Sequence, residues 1–439
     1  MKKLLSLTMA LLAAGSAHAA DLATIYQQAL ANDTEIAAAT ATREADGYNL
    51  TMARGALLPQ ASVSYNYSEF DMTIDAPAPM GKVDTKYDTK TLQLQASQTL
   101  FNLNSWYNYR AASAGNDSAE LKLHMAQQQL VLRTAQAYFA VLRAQDNLST
   151  ALAEEKAVKR ALEQTKQRFD VGLIAITDVH EAQAIYDLTS VNLLGREAAL
   201  DISYEALEQL TGQRFDTVSP LQPKVAMEMP APAKVEDWVQ SGMDKYVGVL
   251  MAEAGLDAQR LQRNAARSNH MPTVQLFANY TDGEQYQFTM GDTVPAQTTV
   301  VGVQVSMPLL AGGSLYGKSK QAAQNYAAAE LQTEKQRRDV KQNVRSLYRQ
   351  VQTDVQNVKA REQSIVSAQS ALEATETGYK VGTRNIVEVL NAQKTLYGAQ
   401  RDYANARYDY ILNLLNLKFF AGTLNDADIK ALNAWLAQG

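Results

Sequence analysis

The chain contains no cysteine, which excludes disulfides, thiolate metal sites and a lipid-modified N-terminal cysteine. It also lacks an excess of positive charge: 41 lysines and arginines face 46 acidic residues, a balance that does not favour nucleic-acid binding. Beyond the N-terminus, no uninterrupted apolar run reaches the ~18 residues of a membrane-spanning helix. The best candidate, 411–420, is interrupted by asparagines and a lysine. If the chain enters a membrane, we expect it to do so as β-strands.

Residues 1–19 have the layout of a secretory signal peptide. Two lysines precede an apolar segment, 4–14, and the small residues Ala17-His18-Ala19 form an A-x-A cleavage site. We therefore predict an exported protein whose mature chain begins at Ala20. Without the two lysines, 39 basic residues face 46 acidic ones, so the mature chain is net acidic.

Proline is absent from two long stretches, 81–219 and 309–439, which are rich in Ala, Gln, Leu, Glu and Arg. A proline inside a helix costs about 3 kcal/mol, so these stretches favour long helices. One of them, from about Ser105 to Phe169, would be roughly 100 Å long. Apolar residues at steps of four and three predict a narrow coiled-coil seam in the second stretch, at Val340, Val344, Leu347, Val351, Val355 and Val358. Segments of this length predict paired helices that form a rod or tube.

The chain is an internal duplication. Residues 169–183 align without gaps to 379–393, at a separation of 210 residues. We predict a first repeat at 20–219 and a second at 233–439, each with a helix, two strands, a long helix and a further helix. The proline-rich segment 220–232 is the expected linker.

Period-two alternation predicts the strands. Val63, Tyr65 and Tyr67 alternate with polar residues, and so do the valines of 301–305. The pattern predicts one apolar and one polar face for each strand. The connecting pieces, 68–90 and 281–298, are rich in Asp, Gly, Thr and Pro and are expected to be loops. The predicted strands lie near 60–70, 90–101, 273–283 and 298–308.

Four strands in one chain are too few to close a membrane barrel. Bacterial outer-membrane barrels have even strand numbers from eight upward. An open sheet edge is not tolerated in lipid, so a membrane location requires two copies with eight strands or three with twelve. The alternative is a soluble periplasmic protein, with a β-sandwich and coiled-coil arms, that acts as a scaffold or adaptor.

One segment resembles a nucleotide-binding loop. Residues 312–319 fit the pattern G-x-x-x-x-G-K-S between a predicted strand and a predicted helix. The equivalent stretch of the first repeat, 101–106, lacks the glycines and the lysine, and no parallel βαβ series surrounds either one. The four histidines are scattered. We predict no catalytic residues, no cofactor and no metal site.

Several segments resemble the TolC family, the outer-membrane ducts of drug-efflux pumps and type I protein secretion; they are 164–178, 381–390, 404–410 and 422–424. The resemblance implies a membrane α+β fold in which a trimeric twelve-stranded outer-membrane barrel is continuous with a long periplasmic α-helical barrel. It further implies export of drugs, secreted proteins or both. The implied partners are a periplasmic adaptor, an inner-membrane RND, ABC or MFS transporter, and the lipid of a Gram-negative outer membrane.

The resemblance also implies a gate at the periplasmic entrance. It places there the bonds of Tyr379 with Asp178, and of Arg384 with Thr177, Asp178 and Gln167. An arginine fork and a carboxylate are well matched for such a bond. The glycines of the two equivalent helix-tip turns, Gly172 and Gly382, would bring these groups to the same depth.

The predicted constriction differs from the usual family pattern. Where familiar members carry two aspartates one helical turn apart, this chain has Glu388 and Asn391, with Lys394 a turn further on. A trimer would then keep one ring of three carboxylates and replace the other with neutral amides. We expect an entrance that attracts cations less strongly and is blocked less tightly by multivalent cations.

Overall fold

The computed structural model describes residues 19–76, 81–287 and 292–437. The predicted signal peptide therefore lies outside the described residues, apart from Ala19. Two compact units are present, and both repeats contribute to each of them. The first, here the helical unit, contains the described residues of 1–40, 122–250 and 336–439; the second, here the strand unit, contains those of 41–121 and 251–335. The compact units are therefore not the sequence repeats.

Helices account for most of the chain, as the proline distribution predicts. The predicted long helix from Ser105 to Phe169 is present with slightly wider bounds, as α3. No helix of the described ranges is long and apolar enough to cross a membrane. The helices are α1 (Leu22–Asn32), α2 (Thr34–Gly55), α3 (Leu103–Asp170), α4 (Ile176–Thr211), α5 (Val235–Lys245), α6 (Val247–Ser268), α7 (Ser314–Lys380), α8 (Ile386–Phe420) and α9 (Asp426–Asn433).

The core of the helical unit contains the predicted valine seam of α7. Val340, Val344 and Val351 have no exposed surface. They pack in one cluster with aromatic residues of α3 and α8, where the Phe139 and Tyr408 ring centroids lie 6.0 Å apart. Burying a side chain of this size contributes about 1.5–3 kcal/mol. The seam therefore joins α7 to α3 and α8.

Two helices, and not one, precede the strands of each repeat. The break between α1 and α2 falls at Asp33, whose side chain accepts a hydrogen bond from the backbone N–H of Ile36 at 2.8 Å. Arg133 of α3 donates to the same carboxylate at 3.1 Å. Asp33 is buried, so this tertiary ion pair stabilises the break. The equivalent break between α5 and α6 falls at Tyr246.

The predicted linker, 220–232, packs as part of the helical unit. Leu221 and Met227 are buried in its core. The indole of Trp238 donates to the carbonyl of Pro232 at 2.8 Å, and the hydroxyl of Tyr410 donates to that of Glu228 at 2.7 Å. Composition alone suggests a loose connection here, whereas long-range contacts order the segment.

The strand unit holds one antiparallel sheet with the order β1-β2-β3-β4. Directly paired residues such as Val63 with Leu94, and Ala278 with Val301, lie on the same face. The outer edges of β1 and β4 have no partner strand within the described ranges. The strands are β1 (Gln60–Ala76), β2 (Gly81–Phe101), β3 (Thr273–Gln287) and β4 (Asp292–Ser306).

The prediction that 68–90 and 281–298 are loops is wrong for most of both segments, because the strands continue through them. Cross-strand contacts compensate for the low β-propensity of the polar residues. Lys86 pairs with Asp71 at 2.8 Å, and the rings of Phe70 and Tyr87 stack with their centroids 5.0 Å apart. At the other end, β4 stops at Ser306 and not at 308, because Pro308 has no N–H for the ladder. Residues 77–80 and 288–291, which belong to the two predicted loops, lie outside the described residues.

Candidate functional site

Two helix hairpins of the helical unit end in turns of the same geometry. One turn joins α3 to α4 and the other joins α7 to α8. Gly172 and Gly382 have φ values of 78° and 80°, a left-handed conformation in which other residues are strained. The backbone N–H of Leu173 donates to Arg168 O at 2.9 Å, and that of Thr383 donates to Gly378 O at 2.9 Å. The duplicated Val-Gly dipeptide thus specifies the same helix ending twice.

The two turns lie side by side. The guanidinium carbon of Arg168 is 4.4 Å from the ring centroid of Tyr379, and both residues precede their turn by less than one helical turn. A groove of about 780 Å³ opens between the ends of α3, α7 and α8. Its polar and charged lining residues include Arg160, Gln164, Gln167, Arg168, Glu376, Tyr379, Lys380, Gln393 and Tyr397.

Two polar atoms of this groove are buried without a hydrogen bond among the described residues. They are the hydroxyl of Tyr379 and Oε1 of Gln393. An unsatisfied buried polar group costs about 1–3 kcal/mol, so both atoms are suited to accept a partner that the single chain does not supply.

The second turn carries an ion pair that we did not predict. Arg384 donates to Glu388 at 2.5 Å; Arg384 is exposed to solvent and Glu388 is half-buried. The Glu388 carboxylate also accepts from the backbone N–H of Asn385, whose own side chain accepts from the backbone N–H of Glu388 at 2.9 Å. This reciprocal capping box begins α8. The bonds from Arg384 and Asn385 hold the pKa of Glu388 below its ordinary value.

The predicted gate residues gather at the two turns, but the predicted bonds are not among the hydrogen bonds of the described residues. Tyr379 and Gln167 line the same groove, Asp178 is half-buried in the first turn of α4, and Thr177 beside it is exposed. Arg384 pairs with Glu388 near its own turn. The glutamate side chain is longer than the aspartate that familiar family members carry at this position, and it reaches back to the guanidinium. The bonds of Tyr379 and Arg384 to the first turn therefore stay a prediction for an assembled state.

The two residues predicted to line the constriction lie on the first turns of α8. Asn391 is exposed, and its backbone carbonyl accepts a bond from the hydroxyl of Thr395. Glu388 is half-buried and already engaged by Arg384. The negative charge available at this depth is therefore smaller than a count of carboxylates suggests.

Two features of the sequence suggested other chemistry: a glycine-rich loop at 312–319 and the histidines. Strand β4, before the glycine-rich loop of 312–319, pairs antiparallel at a sheet edge, whereas a phosphate-binding loop follows a parallel strand. Gly312 and Gly313 have positive φ and lead into α7. In the part of the chain that the structure describes, no three His, Cys, Asp or Glu side chains are grouped to hold a metal ion.

Sequence reasoning missed three residues of this region: Arg168, Asn385 and Gln393. The spacing of Asn385 and Glu388 is that of a capping box, so the role of Asn385 could have been predicted from the sequence. The contact of Arg168 with Tyr379 joins different repeats, and no local pattern reports it.

Comparison with known proteins identifies the family. The sequence profile described as "Outer membrane efflux protein" matches residues 25–213 and 248–423. The chain is 38% identical to Outer membrane protein TolC of Vibrio cholerae, over 99% of both chains, and 35% identical to that of Escherichia coli K12, over 100% of this chain and 90% of the relative. The chain belongs to the outer membrane efflux protein family.

Solved structures show the same fold. The Campylobacter jejuni CmeC outer membrane channel matches with a TM-score of 0.80 at 16% identity, covering 94% of this chain and 89% of that one. VceC of Vibrio cholerae matches with a TM-score of 0.78 at 20% identity, covering 91% and 96%. The predicted fold class, helical barrel and β domain together, is thereby confirmed.

Membership of the family confirms two predictions made from sequence. The protein resides in the outer membrane, and it serves as an exit duct for efflux or secretion. A further relative, the alkaline protease secretion protein AprF of Pseudomonas aeruginosa, is 26% identical over 94% of this chain and 87% of its own length. The relatives are channel proteins and not enzymes.

Proposed function

We propose that the duct is a homotrimer in which three sheets close a twelve-stranded barrel. The observation that carries this proposal is the linear strand order, which leaves β1 and β4 as unpaired edges in the described part of the chain. Unpaired backbone groups are not tolerated in lipid, so each β4 would pair with β1 of the next copy. Three copies supply an even number of strands within the range of known barrels.

The exposed apolar face of the sheet supports a lipid-facing surface. Tyr65 and Tyr67 of β1 are mostly exposed, and so are Val301, Val303 and Val305 of β4. Each set recurs at every second position and therefore lies on one face of its strand. Apolar side chains exposed in such rows favour contact with lipid.

The helix tips would form the periplasmic entrance. In the closed trimer, Tyr379 and Arg384 would bond to Asp178, Thr177 and Gln167, with Glu388 and Asn391 lining the narrowest part. The unsatisfied Tyr379 hydroxyl supports this role. A periplasmic adaptor and an inner-membrane RND, ABC or MFS transporter would engage the tips and open them. The cargo would be drugs, secreted proteins or both, and the duct would catalyse no reaction.

The test uses outer-membrane fractions of the full chain. We expect an unboiled sample to migrate as a trimer and a boiled one as a monomer, and we expect the purified trimer to conduct ions in planar bilayers. A soluble monomer without conductance would contradict the proposal and favour the periplasmic scaffold. As a control, Lys318→Ala should leave conductance and drug export unchanged; loss of export would favour the nucleotide-binding alternative.

A further inference from the structure

Four helices of the strand unit meet the same end of the sheet. In the antiparallel register, Gln60 at the start of β1 pairs with Ser97 near the end of β2, and Thr273 at the start of β3 pairs with Ser306 at the end of β4. The helices α2 and α6 therefore end where α3 and α7 begin, and one to seven residues join each helix to its strand. We call the nine helical residues nearest the sheet in each helix the junction; they are 47–55, 103–111, 260–268 and 314–322.

The junction is basic. It contains no aspartate or glutamate, although the whole chain has more acidic than basic residues. At the far ends of the strands, 69–90 and 282–292, eight acidic residues outnumber three basic ones. Charge is therefore separated along the sheet. The basic residues of the junction are Arg54, Arg110, Arg260, Arg263, Arg267, Lys318 and Lys320.

Three arginines of the junction have no partner within the described ranges. Arg54, Arg110 and Arg267 are exposed, and none of them makes an ion pair or a side-chain hydrogen bond with another described residue. Arg260 differs, because it pairs with Asp257 one turn further from the sheet. Positive charge that is concentrated without counterions attracts an anionic partner.

Helix dipoles do not account for these charges. A basic residue is favoured near the C-terminal end of a helix, which would explain Arg54 of α2 and Arg267 of α6. However, α3 and α7 meet the sheet with their N-terminal ends, where the dipole favours acidic residues, and neither has one in its first turn. All four ends are basic whatever the helix direction, so a common anionic partner is indicated.

Aromatic and apolar side chains are exposed beside the basic ones. Trp106 is 47% exposed and precedes the exposed Arg110 by four residues, so both lie on one face of α3. Tyr316 precedes Lys320 by the same spacing, and the ammonium lies 5.4 Å from the ring centroid. The leucines of 309–310 are 88% and 93% exposed. Exposed aromatic and basic side chains together are typical of the boundary between hydrocarbon and lipid headgroups.

The junction also continues the apolar face of the sheet. The exposed row of Val301, Val303 and Val305 in β4 is followed at the same two-residue spacing by Met307 and Leu309, which are exposed as well. A soluble anionic partner would leave this apolar surface in water. A lipid matches both the charge and the apolar side chains.

We propose that the junction binds anionic phospholipid headgroups in the membrane leaflet next to the helices. Arg54, Arg110 and Arg267 donate to phosphate oxygens, which an arginine can contact with two parallel N–H···O bonds. Trp106 lies among the headgroups, and the leucines of 309–310 enter the acyl chains. The inference rests on the proposed function, in which the sheet spans the outer membrane, and it names the lipid class at one boundary.

Native mass spectrometry of the detergent-purified trimer tests the lipid preference. Phosphatidylglycerol and phosphatidylcholine with the same acyl chains are added separately, and the lipids retained by each trimer are counted. We expect phosphatidylglycerol to be retained at a lower concentration, by about fivefold for each arginine that contacts a phosphate, and raised salt should weaken the preference. Arg54→Gln with Arg110→Gln and Arg267→Gln should abolish it, whereas Arg→Lys at the same three positions should keep most of it.

The matched control removes the same charge elsewhere. Arg214, Lys224 and Lys234 are exposed residues of the helical unit. Arg214→Gln with Lys224→Gln and Lys234→Gln should leave the lipid preference unchanged. Persistence of the preference in the variant with glutamine at the three junction arginines would overturn their role.

The remaining outcomes separate this inference from the proposed function. A conducting trimer that retains both lipids equally would overturn the lipid preference and leave the proposed duct unaffected. Tighter binding of a soluble polyphosphate than of phosphatidylglycerol would overturn the choice of a membrane partner. A soluble monomer without conductance would overturn the proposed function and this inference with it.

Discussion

The two helix-tip turns share a backbone and differ in their side chains. Gly172 and Gly382 adopt the same left-handed conformation, 210 residues apart. Yet the N-cap of α4, Ala175, makes no side-chain cap bond, whereas the N-cap of α8, Asn385, takes part in a complete capping box. The glycine fixes the backbone path of the turn, so the neighbouring positions can carry different side chains without changing that path.

The charges of the two turns differ as well. Glu388 and Asn391 of the second repeat occupy the places of Asp178 and Glu181 in the first. The pair of acids one helical turn apart is therefore in the first repeat, while the second has one acid that is paired with Arg384. If the entrance is gated as proposed, the repeats supply different halves of the bond network, acceptors from the first and donors from the second.

The largest expected effect comes from removing the donors. Tyr379→Phe with Arg384→Ser should raise single-channel conductance and antibiotic leakage. Charge-assisted bonds contribute about 1.5–3 kcal/mol each, so losing one per copy should raise the open fraction at least tenfold. The matched control is Ile174→Ser, which occupies in the first turn the place of Arg384 and should change nothing. Unchanged conductance in the double variant would mean that the constriction lies elsewhere.

A carboxylate at position 391 should give the second repeat two acids one helical turn apart, as in the first repeat. In Asn391→Asp, a trimer gains a ring of three carboxylates, and a trivalent cation should block conductance at a roughly fivefold lower concentration, since one charge pair at about 4 Å in water contributes about 1 kcal/mol. Asn391→Gln keeps the amide and should leave the block unchanged. Tight block of the unaltered duct would contradict the predicted weak acidity.

Much of the fold is predictable because its signals are local and repeated. The valines of α7 recur at helical spacing from Val340 to Val358, and the Val-Gly turns occur twice. The strand ends are not predictable in this way: Asp71 and Lys86 favour loops individually and become strand residues because they face each other. At the site, the sequence offers Arg384 several possible acceptors. Its bond to Glu388 depends on where α8 begins, because the helix places the two side chains four residues apart on one face.

A smaller effect is expected from changing the N-cap residues of α4 and α8, which differ between the two turns. Asn385→Ala removes the side-chain bond at the start of α8 and should cost about 0.5–2 kcal/mol locally. Ala175→Asn should add such a bond to α4 and stabilise its first turn by a similar amount. Amide hydrogen exchange of the two first turns measures both effects, and equal exchange of the turns in the unaltered protein would contradict the structural difference.

The smallest effect is a pH dependence confined to the second turn. Because the pKa of folded Glu388 lies below its ordinary value of 4.5, its contribution is complete above that pH and is lost as the pH falls through the folded pKa. The protection of the first turn of α8 against hydrogen exchange, measured relative to the intrinsic exchange rate at each pH, should therefore fall only below pH 4.5, and Glu388→Gln should abolish this dependence. Because Ala175 contributes no side-chain bond, the first turn of α4 serves as the reference. The same loss of protection in both turns would show that a general effect of acid, and not the Arg384–Glu388 pair, is being measured.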